Sequence, residues 1–210
     1  MHARFRSPVH RLLPFLCLAI FAAHAALAAD APKTAAADPA KAQQDAAMAE
    51  MMKISAPGPM HAILASLAGK WKTSIKSWMG GPEPTVSEGI GERTMIMGGR
   101  YLESKYSGNM MGMPFEGEEI LTYDNMKKQF TSVWIDNMAP MLTVASEGQV
   151  DPTGKIITMS SSMPDMSTGK MEPYKLVMKI VDKDHNVFTM SGTKDGKDYK
   201  VMEIDYTRAQ

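Results

Sequence analysis

From Lys70 onward, hydrophobic and polar residues alternate with a period of two, the pattern of strands with one face in a core and one in water. Trp71, Thr73 and Ile75 share one face, and Lys70, Lys72 and Lys76 the other. The period returns in Thr85 to Met97, Tyr101 to Ser107, Phe115 to Tyr123, Gln129 to Asn137, Met141 to Val150, Lys155 to Met163, Met171 to Val181, Val187 to Thr193 and Asp198 to Arg208. Turn chemistry separates these segments: Gly80-Gly81-Pro82, Gly108 to Pro114, Asp124 to Lys127, Ala139-Pro140, Asp151 to Gly154, Pro164 to Gly169, Asp182 to Asn186 and Lys194 to Lys197. Gly98-Gly99 supplies the positive φ angles of a two-residue hairpin. About ten strands with no helix between them predict an all-β fold, an antiparallel up-and-down barrel closed on itself. A strand of ten residues spans about 33 Å, enough when tilted to wall a cavity.

Upstream the period changes. Asp38-Pro39 reads as an N-cap followed by a helix-starting proline, and Met48, Met51 and Met52 fall at i, i+3 and i+4, which predicts a short amphipathic helix to about Ile54. Pro59 starts a second helix whose face is Met60, Ile63, Leu64 and Leu67 and which Gly69 ends. So short a helix gains little alone, so its stripe is expected to plug the bottom of the barrel.

Gly69-Lys70-Trp71 after a short helix, with Arg208 on the last strand able to lie across Trp71, resembles the calycin superfamily of lipocalins, fatty-acid-binding proteins and nitrobindins. The run Glu92 to Leu102, the run Trp134 to Asn137, and the closing Tyr206-Thr207-Arg208 resemble a secreted bacterial family known only as a domain of unknown function. That likeness extends over Met60 to Arg208 and implies a barrel, without an activity. Gly69, Trp71 and Arg208 are assigned a structural role, because a guanidinium stacked on an indole contributes roughly 0.5 to 2 kcal/mol and can bond carbonyls left open at a helix end. Departures narrow the likeness. Only Gly80 to Pro84 follows the first strand, where fatty-acid-binding proteins place a helical lid. Beyond the amino-terminal leader the histidines are His61, on the plug helix, and His185, in a turn, which argues against haem.

Arg4, Arg6 and Arg11 precede an apolar stretch from Leu12 to Ala23, and Ala26-Leu27-Ala28 forms a small-residue cleavage pattern. Residues 1–28 therefore read as a secretory signal, 29–58 as an Ala/Pro-rich tether with a possible helix, and 59–210 as the barrel domain. The stretch is too short to span a membrane core of about 30 Å. Cleavage would remove Cys17, the only cysteine, and leave a periplasmic protein without disulfides. It would also leave 20 basic against 23 acidic residues, a balance that calls for neither nucleic acid nor an anionic membrane.

Methionine is abundant, 21 residues of 210. Thioethers are soft ligands for Cu(I), and Met110, Met111 and Met113, in a predicted loop, are the candidate metal ligands. Methionine also fills irregular core gaps, as expected of Met95, Met178 and Met202 at alternating strand positions. There is no Gly-x-Ser-x-Gly and no His-rich metal motif. Asp182 to Asn186 begins like a calcium loop, then places Val187 where glycine is needed. Glu116, Glu118 and Glu119 cluster on one strand, with Glu119 on the opposite face, and read as solvated.

These features describe a non-catalytic container for a small apolar or amphipathic molecule. Strand parity and aromatic content nominate Arg93, Tyr101, Glu103, Trp134 and Tyr174 as interior ligand-binding residues. Two alternatives remain: a methionine-based Cu(I) binder and a filled barrel that acts through its outer surface.

Overall fold

The computed structural model describes residues 38–79, 81–110, 112–165, 168–194 and 196–210. The proposed signal, residues 29–37 of the tether and Met111 lie outside the described residues. The chain divides into two compact units, 1–42 and 43–210. Helix α1 (Pro39–Ser55) starts in the first and continues into the second, and Asp38 caps it by accepting a hydrogen bond from the Ala40 main-chain N–H at 2.9 Å. Helix α1 buries no residue, so the Met48, Met51 and Met52 stripe is exposed rather than packed. Its last turn is tied down by polar bonds: Asn125 donates to the Ile54 and Ala56 carbonyls, and Arg100 to that of Ser55. Among the described residues no helix is long and apolar enough to cross a membrane.

Helix α2 (Pro59–Ser66) and ten strands follow: β1 (Gly69–Ser77), β2 (Thr85–Ile96), β3 (Tyr101–Met110), β4 (Met113–Asp124), β5 (Gln129–Asp136), β6 (Thr143–Val150), β7 (Ile156–Pro164), β8 (Met171–Ile180), β9 (His185–Lys194) and β10 (Lys197–Arg208). Each strand pairs antiparallel with its neighbours in sequence, and β1 pairs with β10 to close the barrel. Closure removes both sheet edges, so every strand's ladder is satisfied within the fold. Within the segment from Gly108 to Pro114, expected as a loop, Gly108 to Met110 instead continue β3 and Met113 and Pro114 begin β4, with Met110 paired to Met113. His185 and Asn186, expected in a turn, begin β9.

The inward faces divide the interior into two halves. At the plugged end Leu102, Leu121, Phe130, Ile157 and Met178 meet Leu64 of α2 and its C-cap residue Leu67 in one apolar cluster. Beyond this cluster the inner wall also carries small polar side chains, Thr73 and Ser161, both buried. The plug is locked by Arg208. Its guanidinium lies 4.1 Å from the centre of the Trp71 ring and donates to the carbonyls of Ala68 (2.8 Å), Ser66 (3.2 Å) and Lys183 (2.7 and 2.9 Å). The Trp71 indole N–H donates to the Leu67 carbonyl at 2.9 Å. Gly69 is needed beneath: its φ is +129°, and a Cβ there would strike the Arg208 guanidinium.

Replacing Arg208 with Met should keep the stem and remove the stacked charge and its bonds to helix-end carbonyls. Urea unfolding should show a loss of about 3 kcal/mol with an unchanged m-value; a loss below about 0.5 kcal/mol would show that the plug holds without it.

Candidate functional site

At the boundary between the two halves sits a buried polar centre. Arg93 on β2 points inward and is 3% exposed. Its Nε and Nη2 donate to the Tyr106 hydroxyl at 3.2 and 3.0 Å, and its Nη1 donates to Asn186 Oδ1 at 3.2 Å. Three rings surround the guanidinium, with Tyr206 closest at 4.1 Å, Trp71 at 5.6 Å and Tyr106 at 5.9 Å. Burial works against the charge, but the acidic groups of Tyr106, Tyr206 and Glu119 leave the guanidinium pKa raised, so Arg93 remains a cation.

Register explains how these residues meet. Arg93 pairs with Ser104, Ser104 with Glu119, and Glu119 with Trp134, so four neighbouring strands send side chains inward along one row. Glu119 is therefore an interior residue, unlike its outward neighbours Glu116 and Glu118. Burial pushes its carboxyl pKa up, opposed by the Arg93 charge and a hydrogen bond with Ser132. Burial also pushes the Tyr206 phenol well above its ordinary value. Among the described residues Arg93 makes no ion pair with a carboxylate. Two further buried atoms lack any partner: Ser104 Oγ and Asn186 Nδ2.

Toward the mouth, Trp134 packs 5.5 Å from Tyr106 and stacks 6.2 Å from Phe115, with its indole N–H donating to Asp136 Oδ2 at 2.7 Å. Trp134 lies flat because Gly117 faces it: a Cβ on Gly117 would enter the indole ring. Tyr174 shares the inward face of β8 and hydrogen-bonds with Tyr199, and burial raises its phenol pKa. Arg93, Trp134 and Tyr174 thus all point into the barrel, at different heights.

Tyr101 and Glu103 do not. Tyr101 is 37% exposed, and Glu103 pairs with Lys105 at 3.3 Å on the outer wall. The physical reason is register: Arg93 opposite Ser104 forces Glu103 opposite Thr94, on the outward face. Of the proposed metal ligands, Met110 and Met113 are neighbours across the hairpin tip. Among the described residues, no group of three or more His, Cys, Asp or Glu could hold a metal. Sequence parity missed Tyr106, Ser104 and Glu119, although the Gly98-Gly99 hairpin dictates their faces once Arg93 is placed inside. Nothing in the local sequence marks Asn186 or Tyr206 as neighbours of Arg93.

Two concavities of about 540 and 530 Å³ lie on the outer wall. The first is lined by outward residues of β2 to β5, including Glu92, Lys105 and Glu118, and the second by Lys72, Ser74, Glu88 and Asp205 of β1, β2 and β10.

A closed ten-stranded antiparallel barrel, plugged at one end by a short helix and holding a buried cation, is the class of protein defined here. A family model described as protein of unknown function, DUF1579, matches residues 56–208, and the chain belongs to that family. Rv2717c from M. tuberculosis, known from its crystal structure, is similar at a TM-score of 0.54 and 15% identity, over 74% of this chain and 100% of that one. At that identity the likeness concerns the fold alone. A redesigned beta barrel aligns at a TM-score of 0.37 and 13% identity, over 70% of this chain and 96% of that one, too distant to argue from. No curated protein matches the chain.

The raised Glu119 pKa has a definite sign in stability. Above the ordinary carboxylate pKa the unfolded chain has released this proton while the folded protein still holds it, so the group's contribution to stability falls as pH rises to its folded pKa. Glu119→Gln should abolish that component. The stability of the wild type relative to the variant should decline from pH 4.5 upward by at most about 1.4 kcal/mol per pH unit, and parallel pH profiles in denaturant titrations would refute the assignment.

Proposed function

We propose that the barrel binds a small amphipathic molecule without chemical conversion, its anionic or hydrogen-bond-accepting head held at Arg93 and its apolar part directed to the mouth. The observation that supports this most is the buried guanidinium. Its direct partners are neutral, and the unpartnered donors Ser104 Oγ and Asn186 Nδ2 belong to the same polar centre. A buried cation without a counterion is costly, and an anion offering several acceptor oxygens offsets that cost through charge-assisted bonds. Burial favours the neutral form of Glu119, which lessens its competition with an anion and leaves it able to donate. Trp134, Phe115, Tyr174 and Tyr199 line the way in, and their rings rotate aside to admit the ligand. In this reading the protein is a calycin-type carrier, exported to the periplasm by residues 1–28.

The outer-wall concavities favour a second reading, a filled barrel that acts through its surface. A titration separates the two. A fluorescent fatty-acid analogue should bind saturably and be displaced by alkyl sulfates and carboxylates but not by the matching alcohols. Arg93→Met should weaken that binding at least about tenfold while the protein stays folded by circular dichroism. Failure of all anionic probes to bind, or equal affinity in Arg93→Met, would move the function to the outer wall.

A further inference from the structure

Alternating strand direction places the β3–β4 and β5–β6 connections at the mouth, and both carry methionine. Exposure alone does not single these residues out, since Met97 and Met126 are more exposed elsewhere. Juxtaposition does. Met110 and Met113 are register partners, so their side chains leave the same face of the sheet with Cβ atoms about 5 Å apart.

Asn137 fastens the next strand end beside them. Its main-chain N–H donates to the Glu116 carbonyl (3.0 Å), its Oδ1 accepts from the Glu116 N–H (3.1 Å), and its Nδ2 donates to the Pro114 carbonyl (3.1 Å). Asp136 Oδ1 then accepts from the Met138 N–H at 2.9 Å. Through these bonds Asn137 ties the start of the β5–β6 connection to the Pro114–Glu116 stretch of β4, which brings Met138, the next residue, to the same strand ends as Met113. Met113 is 49% and Met138 39% exposed, so both thioethers face solvent instead of filling a core. Met141 follows in the same connection and is also exposed.

We propose that Met110, Met113 and Met138, with Met141 as a fourth thioether, form a Cu(I) site at the mouth of the barrel. Thioether sulfur is soft and neutral and binds Cu(I) in preference to Zn(II) or Cu(II), which favour imidazole, thiolate or oxygen. The unbranched methionine side chain, with three rotatable bonds, lets sulfurs from three backbone positions converge on one ion. Both histidines among the described residues lie on elements of the plugged end, so the site would be built from sulfur alone.

The test is an anaerobic titration of the protein with Cu(I) against a chromogenic chelator, repeated with Ag(I) as a redox-inert probe. One ion should bind, Zn(II) should not displace it, and X-ray absorption should show sulfur as the only coordinating element. Met113→Leu and Met138→Leu keep volume and hydrophobicity and remove only the sulfur. Each should weaken binding at least about tenfold with an unchanged melting temperature and unchanged affinity for the anionic probe at Arg93. That last readout separates failure of this site from failure of the carrier reading. No uptake of Cu(I) or Ag(I), nitrogen or oxygen ligation, or wild-type affinity in both folded Leu variants would overturn the proposal.

Discussion

Everything in this barrel depends on how its lower end is shut. Ten strands closed on themselves leave an opening at each end, and an apolar interior is stable only where water is kept from it. Arg208 performs that exclusion indirectly. One guanidinium stacks on Trp71 of the first strand, bonds the carbonyls at the end of the plug helix, and reaches the Lys183 carbonyl in the β8–β9 turn. First strand, last strand, plug helix and a neighbouring turn are thereby joined through a single planar cation, whose five donors in fixed geometry suit that task better than lysine's flexible ammonium.

With the lower half sealed and filled, the polar centre above it becomes meaningful. Apolar residues from α2 and from β3, β4, β5, β7 and β8 pack below, and above them the Arg93 guanidinium, the Glu119 carboxyl and the Tyr206 phenol are withdrawn from water together. Such a group is costly to bury, and cores of this size are routinely filled with hydrocarbon alone. In the carrier proposal a ligand shares the bonds and offsets that cost. The mouth is chemically distinct, with aromatic rings inside and thioethers on the rim, so the two proposed sites differ in the chemistry they recognise and can be tested independently.

The Gly98-Gly99 hairpin shows how much of the site was legible in sequence. A turn centred between those glycines pairs any two residues whose numbers sum to 197, which puts Arg93 against Ser104. Arg93 and Glu103 therefore cannot share a face, and an interior position for both is incompatible with that turn. Tyr106 and Glu119 follow from the same arithmetic carried across β3 and β4. Polar character misled in each case: an acidic residue on a strand reads as solvated until its register is traced. Asn186 lies in a polar, turn-like run of sequence, and only its bond to Arg93, across 93 positions of sequence, reveals it as an interior residue.

Sequence alone determined the strands, their order and the closed antiparallel architecture, because alternation of period two and turn residues are local properties set by backbone geometry and side-chain polarity. It also marked the plug helix and its tryptophan and arginine. The tertiary structure decided which polar residues share the interior, because strand tilt and closure bring β2, β3, β4, β9 and β10 to one point across the barrel. It also decided which methionines share the rim, because Asn137 binds the start of the β5–β6 connection, and with it Met138, to the strand that begins at Met113. Contacts made across a closed barrel depend on its tilt and stagger, and no local segment encodes them.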